Sequence, residues 1–202
     1  MQKLFVATKN THKAEEFRRI LLPLGVDVVS ESDLDFELPD VEETGTTFEE
    51  NSMLKAIAGM KATGLPTVAD DSGLCVDALG GRPGVYSARF AGEPSSDMAN
   101  NDLLLSKLKD VPLHQRTARF VCCISCVFPE GHVLTAKGEC EGVIGFEPKG
   151  ENGFGYDCLF VSELGCFGEL SASEKDSVSH RSKALKIFLG EFKKYVNREK
   201  KC

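Results

Sequence analysis

Apolar residues occur along the chain both in short runs and at helical spacing. Residues 4–7 form a short apolar run that predicts a buried strand, and residues 26–29 form another. Between them, a helix ending near residue 22 is predicted by apolar positions three and four residues apart, namely Ala14, Phe17, Ile20 and Leu21. This alternation of strand and helix indicates an α/β protein.

The same pattern continues to the end of the chain. Further helices are predicted over residues 48–62 and 96–108 and from about residue 179, and further strands over residues 65–69, 74–79, 117–128, 132–140 and 158–161. Thr47 and Glu50 have the spacing of a capping box, and Met98 is expected to face the core. A turn at residues 129–131 predicts a hairpin. We therefore expect one α/β domain over residues 1–202, with an elongated mixed β-sheet flanked by helices and two lobes.

Composition narrows the class of partner. The chain has 202 residues, of which 27% are charged and 42% hydrophobic, and its formal net charge is -7. A nucleic-acid partner is disfavoured, because proteins that bind a phosphate backbone normally carry a basic surplus. The sequence also contains no apolar run of membrane-spanning length and no signal-peptide pattern at residues 1–9. We expect a cytoplasmic protein that does not act on membranes.

The eight cysteines do not predict a disulfide framework. Their only cluster is Cys122, Cys123 and Cys126, within a predicted strand. In a strand, Cys122 and Cys126 share a face and Cys123 points to the other, which suits a core better than a tetrahedral metal site. We therefore predict that these three thiols are buried.

Two adjacent carboxylates, Asp70 and Asp71, follow the apolar run at residues 65–69 and precede Ser72 and Gly73. Neighbouring carboxylates at a strand end resist ionising together unless a cation or a proton lies between them. The pair therefore indicates a divalent metal site or an acid/base pair. A solvated turn is the alternative, because Asp, Ser and Gly are common turn residues.

A phosphate site is indicated where the first predicted strand runs into the first helix. Thr8, Asn10 and Thr11 can cap that helix, and Lys9 and Lys13 add positive charge. Free backbone N–H groups and the positive end of the helix dipole favour an anion. An ordinary capped helix with surface lysines is the alternative.

The second predicted helix follows an acidic segment at residues 33–43. Glu43 lies just before that helix, and Asn51 and Lys55 are four residues apart on one of its faces. Lys55 could contact phosphate oxygens while a glutamate holds a cation. The alternative is solvated charge on a surface helix.

A base-binding site is indicated near the C-terminus. His180 and Arg181 lie at the predicted start of a helix, where cations oppose the macrodipole and a ligand with acceptor oxygens would explain them. Phe154 and Tyr156, in a glycine-rich loop with Asp157 nearby, offer rings for stacking. Core packing is the more common use of such aromatics.

Five motifs together resemble the inosine triphosphatase (Ham1-like) family of house-cleaning nucleotide pyrophosphatases. They are ATKNTHK at 7–13, EETGTTFEENSMLKA at 42–56, ADDSGLCVDALGGRPGVYSARFAG at 69–92, GFGYD at 153–157 and EKDSVSHRSKAL at 174–185. The resemblance extends from one end of the chain to the other in family order. It implies a central nucleotide cleft, a homodimer, and Mg²⁺-dependent hydrolysis of ITP, dITP or XTP between the α and β phosphates.

The resemblance also implies a role for individual residues. Asp71 would be the catalytic base, and the metal ligands would be Glu43, Asp70 and Asp71. Substrate would be bound by Thr8, Lys9, Asn10, Thr11, His12, Lys13, Lys55, Ser72, Phe154, Gly155, Tyr156, Asp157, Lys175, His180 and Arg181. Within this set, Thr8, Asn10, Lys13 and Lys55 would hold the triphosphate, and Phe154 would stack on the base. Position 9 is Lys where many relatives have Gly, which alters the charge beside the phosphates.

Two other functions remain open from the sequence. One is a Maf-like nucleotide pyrophosphatase with a different base preference, which rates over a panel of nucleotides would distinguish. The other is a non-catalytic nucleotide-binding module, which would bind nucleotide with Mg²⁺ but show no turnover.

Overall fold

The computed structural model describes residues 2–36, 38 and 40–199, so residues 37 and 39 of the predicted acidic loop lie outside the described residues. Its strands are β1 Gln2–Val6, β2 Val26–Ser30, β3 Thr67–Val76, β4 Thr117–Val127, β5 Val133–Ile144, β6 Phe160–Ser162 and β7 Gly165–Cys166. Its α-helices are α1 Thr11–Leu21, α2 Phe48–Thr63, α3 Asp97–Lys107, α4 Ala172–Val178 and α5 His180–Glu199.

The strands form one mixed sheet with the order β2-β1-β3-β4-β5-β6-β7. β1 pairs in parallel with β2, with Leu4 opposite Val28, and also in parallel with β3. β6 pairs antiparallel with β5 and with β7. Parallel neighbours require crossover connections, and helices α1 and α2 supply them. The predicted α/β class with a mixed sheet flanked by helices is confirmed.

The chain divides into two compact units, as the expectation of two lobes requires. The first unit comprises Met1–Asp71, Cys123–Gly138 and Ala184–Cys202, and the second comprises Ser72–Cys122 and Glu139–Lys183. β3, β4 and β5 each contribute to both units. In the second unit, the core includes three phenylalanines in ring contact, namely Phe120, Phe160 and Phe167.

Local sequence signals account for the helix starts. Asn10 is the N-cap of α1. Thr47 is the N-cap of α2, and its backbone N–H donates the predicted reciprocal bond to the Glu50 carboxylate. Each cap satisfies a backbone N–H that the helix leaves unpaired. Another capping box, formed by Ser171 and Glu174, begins α4, a helix that the hydrophobic pattern did not predict.

The acidic pair does not lie at a strand end or in a turn. Asp70 and Asp71 are buried inside the ten-residue strand β3, so both the predicted break after residue 69 and the solvated-turn alternative are wrong. Lysines from two helices reach these carboxylates, and this pairing overrides the low strand propensity of Asp. After Val76, a 3₁₀ turn over Asp77–Leu79 replaces the rest of the predicted second strand.

Two further predictions concern burial. Met98 is 75% exposed, so its predicted core position is wrong. Its place near the first turn of α3 leaves it outside the core, to which Leu104 contributes from the same helix. Cys122, Cys123 and Cys126 are buried as predicted, and burial raises the pKa of the Cys126 thiol well above its usual range.

Candidate active site

Five charged side chains of the first unit form a lysine–carboxylate cluster, which we define as Lys13, Glu43, Lys55, Asp70 and Asp71. Lys55 Nζ lies 2.6 Å from Glu43 Oε1 and 2.9 Å from Asp71 Oδ1. Lys13 Nζ lies 3.1 Å from Asp70 Oδ2. The fold thus brings Glu43 and Asp71, which are distant in sequence, onto one ammonium group.

The start of α1 supplies the first lysine of this cluster. Asn10 Oδ1 accepts a hydrogen bond from the backbone N–H of Lys13 at 3.1 Å, and Thr8 Oγ1 accepts one from the backbone N–H of Asn10 at 3.2 Å. These bonds fix the turn between β1 and α1, and Lys13 extends from it to the carboxylate of Asp70. The predicted phosphate-binding segment is therefore an ordered turn beside a buried carboxylate.

The other residues of that turn face solvent. Lys9, Thr11 and His12 are exposed, and the Lys9 ammonium contacts the carboxylate of Asp40. An exposed first turn leaves backbone N–H groups accessible to an anion. This accessibility is compatible with a phosphate site, although a capped surface helix has it as well.

Helix α2 contributes two groups that hold Asp71. Lys55 donates to Oδ1 of Asp71, and the Nδ2 group of Asn51 donates to Oδ2 at 3.3 Å. Residues four apart lie on one helix face, so the capping box that starts α2 at Thr47 also directs these two side chains toward β3. Lys55 and Asn51 thus account for one contact on each oxygen of the buried carboxylate.

Burial and charge act in opposite directions within the cluster. Burial raises the pKa of Asp71 above its usual value, although Lys55 and Lys13 act against this rise. Burial alone would lower the pKa of Lys55, but the carboxylates of Asp71, Asp70 and Glu43 outweigh it and raise that pKa. Lys55 therefore keeps its charge, and Asp71 is a stronger proton acceptor than an exposed aspartate.

The acidic residues fit a magnesium ion by their chemistry but do not enclose one by themselves. Glu43, Asp70 and Asp71 offer only carboxylate oxygens, the hard donors that Mg²⁺ prefers. Among the described residues, no three or more His, Cys, Asp or Glu side chains form a preformed metal-binding group. The assignment of Glu43, Asp70 and Asp71 as metal ligands stays a prediction. Mg²⁺ is commonly bound by one or two carboxylates and completed by waters and substrate phosphates.

The second unit contains the aromatic loop, which we define as residues 153–157. Its carboxylate, Asp157, is buried and accepts a hydrogen bond from the backbone N–H of Phe154 at 2.9 Å. A Cβ at Gly153, where φ is +78°, would lie 2.1 Å from Asp157 Oδ2. Glycine is therefore required by both the backbone angle and the close carboxylate. This loop is closely packed rather than simply flexible.

Lys175 of α4 contacts the aromatic loop. Its ammonium lies 2.6 Å from Asp157 Oδ2 and 5.0 Å from the centre of the Phe154 ring. Lys175 is only 6% exposed, which a charged side chain tolerates because Asp157 and the ring offset the loss of water. Phe154 itself is half-buried, so part of the residue is accessible.

Tyr156 is directed into the core of the second unit. Its hydroxyl donates to the backbone carbonyl of Ser87 at 2.8 Å, and burial raises the pKa of this phenol. Both backbone groups of Gly155 are bonded to α3: the N–H donates to Asp97 Oδ2 at 2.7 Å and the carbonyl accepts from Asn101 Nδ2 at 2.9 Å. These contacts give Tyr156 and Gly155 a supporting role, while the predicted contact with substrate stays a prediction.

The start of α5 carries the predicted His180 and Arg181. The guanidinium of Arg181 donates to Ser72 Oγ at 2.9 Å, and the His180 ring stacks on Phe120 with 4.7 Å between centres. Ser179 caps the helix by accepting from the N–H of Ser182. Arg181 and Ser72, 109 residues apart, are therefore neighbours in the second unit.

Sequence reasoning did not identify Asp97 and Asn101, which fix the aromatic loop. Their four-residue spacing at the start of α3 places both on one helix face, and this was the available signal. Their partner, however, lies more than fifty residues away at Gly155, which local pattern does not indicate.

Comparison with known proteins places both sets of residues within one family. The Ham1 family model matches residues 4–191, which include the whole lysine–carboxylate cluster and the whole aromatic loop. The chain belongs to the Ham1 family. A dITP/XTP pyrophosphatase of Exiguobacterium sibiricum is 54% identical to it over 94% of this chain and 100% of the relative. The dITP/XTP pyrophosphatase of Bacillus subtilis is 48% identical over 92% of this chain and 94% of the relative.

Solved structures of the Ham1 family share the fold. The Ham1 protein of Staphylococcus aureus superposes with a TM-score of 0.83 at 41% identity, covering 96% of this chain and 100% of that one. A HAM1 protein from Coxiella burnetii has a TM-score of 0.85 at 36% identity, with the same coverage of both chains. The resemblance found from the five sequence motifs is confirmed. Separately, no helix in the described part of the chain is both long and apolar enough to cross a membrane.

Proposed function

We propose that this Ham1-family chain hydrolyses the non-canonical purine nucleotides ITP, dITP and XTP to the monophosphate and pyrophosphate, which removes them from the nucleotide pool. The observation that carries the proposal is the buried Asp71 carboxylate, contacted at one oxygen by Lys55 and at the other by Asn51. The relatives named dITP/XTP pyrophosphatase support the substrate class.

Asp71 acts in this proposal as the general base that accepts a proton from the attacking water. Burial raises its pKa toward the working pH, which favours proton abstraction. General-base catalysis of this kind contributes about 10² to 10⁴ in rate. The oxygen of the water forms the new bond to the α phosphorus, and pyrophosphate leaves.

Lysines of the cluster and the first turn of α1 bind the triphosphate. Lys13 and Lys55 carry the positive charge that the phosphate oxygens require, while Thr8 and Asn10 fix the turn that presents backbone N–H groups. Lys9, Thr11 and His12 contribute as exposed residues of the same turn. Positioning and charge stabilisation supply most of the catalysis in phosphoryl-type reactions.

We assign Mg²⁺ as the cofactor, and Glu43, Asp70 and Asp71 as the residues that would hold it. The oxygen-only donor set supports this assignment. When bound, the ion supplies positive charge that stabilises the developing charge on the phosphate oxygens.

We assign the binding of the purine ring of the substrate to the second unit. The ring of the half-buried Phe154 stacks on the purine, and Asp157 and Lys175 hold Phe154 in place. Lys175, His180 and Arg181 offer donors, which suit the O6 acceptor of hypoxanthine or xanthine and oppose the amino group of adenine. A site that donates hydrogen bonds rejects a mismatched base strongly because buried donors are then left unpaired. Arg181 also orients Ser72 for contact near the cleaved bond.

The assembly and location are extensions of the family resemblance. We propose a homodimer in the cytoplasm whose partner is the nucleotide, with no nucleic-acid or membrane partner. Light scattering coupled to gel filtration tests the dimer, and a single species with the mass of one chain would contradict it.

A nucleotide panel tests the proposal. The chain is incubated with ITP, dITP, XTP, ATP, GTP and dTTP, with Mg²⁺ or with EDTA, and the products are separated by chromatography. We expect rapid turnover of ITP, dITP and XTP only with Mg²⁺, and pyrophosphate rather than single phosphates. A preference for a pyrimidine nucleotide would favour a Maf-like enzyme, and binding without turnover would favour a non-catalytic module.

A further inference from the structure

Asn51 is the buried polar residue of α2 that lies next to the proposed base. It is 1% exposed, and its amide makes one hydrogen bond from each end. Oδ1 accepts from the backbone N–H of Gly45 at 2.8 Å, and Nδ2 donates to Asp71 Oδ2 at 3.3 Å. Asn51 therefore links the segment before α2 to the carboxylate in β3.

The direction of this link is fixed by chemistry. A backbone N–H can only donate, so the amide atom facing Gly45 must be the oxygen. The NH₂ group is then the one that faces Asp71, and an ionised carboxylate can only accept. The orientation of the Asn51 amide is thus set by the backbone N–H of Gly45.

Gly45 allows this contact because it has no side chain. A Cβ at this position would lie 2.5 Å from Asn51 Oδ1 and 2.7 Å from the Cβ of Glu50. The close approach of backbone to amide therefore requires glycine. Gly45, Asn51 and Asp71 form a relay in which the backbone orients the amide and the amide orients the carboxylate.

We propose that Asn51 is a positioning residue for the proton transfer at Asp71, an inference that rests on the proposed function. Lys55 holds Oδ1 and Asn51 holds Oδ2, and together they fix the plane of the carboxylate. A fixed plane also fixes the directions of the lone pairs that Lys55 and Asn51 leave free, so that one of them faces the attacking water. Loss of the Nδ2 donor lets the carboxylate turn and reduces the fraction of productive encounters.

The test compares Asn51→Asp with Gly45→Ala. Asn51→Asp keeps the shape and the acceptor for the Gly45 N–H but replaces the donor with a carboxylate oxygen that repels Asp71. Gly45→Ala keeps the amide but displaces it. We expect kcat on ITP to fall about 10- to 100-fold in Asn51→Asp, given the usual strength of a hydrogen bond to a charged group, with KM changed less than about twofold. Gly45→Ala should lower kcat in the same direction.

Ser52→Ala is the matched control. Ser52 is the next residue of α2, is equally buried and bonds Ser125 Oγ at 2.7 Å, but it belongs to neither the cluster nor the relay. Its loss should reduce the melting temperature while leaving kcat near wild type. An equal fall of kcat in Ser52→Ala and Asn51→Asp would show a merely structural role and overturn the inference.

Two further results separate this inference from the function on which it rests. In an Asp71→Asn background, Asn51→Asp should cause no further loss, because residues that act as one unit are not additive. A wild-type enzyme that is active on ITP together with a fully active Asn51→Asp variant overturns the inference alone. A wild-type chain inactive on every nucleotide overturns both.

Discussion

The lysine–carboxylate cluster and the aromatic loop bury charge in different ways. In the cluster, long side chains from two helices and a strand meet, and Lys55 serves two carboxylates at once. In the aromatic loop, the carboxylate of Asp157 is held by a backbone N–H and by Lys175. Gly153 packs against this carboxylate, and Gly155 is hydrogen-bonded to α3. The cluster is suited to exchanging partners with a polyanion, whereas the loop is suited to holding one shape.

This difference predicts two kinds of kinetic effect. Changes in the cluster should lower kcat for every accepted nucleotide, because its groups act on the phosphates that all substrates share. Changes in the aromatic loop should raise KM or alter base preference, because its groups act on the base. A cluster variant that altered only the base preference, or an aromatic-loop variant that lowered kcat equally for every nucleotide, would contradict this comparison.

The largest effect is expected for Asp71→Asn. The amide keeps the shape of the side chain but cannot accept a proton as a base, so kcat on ITP should fall about 10²- to 10⁴-fold. Stopped-time assays of pyrophosphate release measure this, and circular dichroism checks that the variant is folded. Asp77→Asn, which alters a carboxylate bonded to Arg119 and Thr117 in the second unit, is the control and should retain full rate. A near wild-type rate for Asp71→Asn would remove Asp71 from the role of base.

An intermediate effect is expected for Phe154→Ala. Loss of a stacking ring costs about 1–3 kcal/mol per base, so KM for ITP should rise about 5- to 150-fold while kcat changes less. Phe146→Ala is the control, because this exposed ring lies over Arg116 in the same unit and has no assigned part in base binding. An unchanged KM in Phe154→Ala would show that this ring does not contact the base.

The smallest effect is expected for Gly153→Ala. The added Cβ would meet the Asp157 carboxylate and adopt a positive φ, so the free energy of unfolding should fall by about 1–3 kcal/mol in urea titrations. The preference for ITP over ATP should fall by less than about tenfold, because the polar donors remain. Gly165→Ala has a φ of +113° but no atom within 4 Å of the new Cβ, so it isolates the cost of the backbone angle. Equal selectivity in both variants would contradict a role for the packed loop in base choice.

Local chemistry allowed much of the fold to be predicted from the sequence. Asn10 and the pair Thr47 and Glu50 cap their helices within a few residues of chain, and the spacing of Asn51 and Lys55 correctly places both on one face of α2. These features depend on backbone geometry that short segments determine. The order of the five motifs along the chain then indicated the family.

Features that depend on distant partners could not be predicted in this way. Asp70 and Asp71 were expected at a strand end because they follow the apolar run at residues 65–69 and precede a glycine. In the structure, lysines from α1 and α2 hold them inside β3. The bonds from Asp97 and Asn101 to Gly155 join segments more than fifty residues apart. The spacing of apolar residues along the chain does not indicate contacts between such distant segments.

The most direct test of the central claim is hydrolysis of ITP in water labelled with ¹⁸O, followed by mass spectrometry of both products. If water attacks the α phosphorus, as the account requires, the label appears in inosine monophosphate and the pyrophosphate is unlabelled. Label in the pyrophosphate, or in released single phosphate, would show attack at another phosphorus and contradict the account.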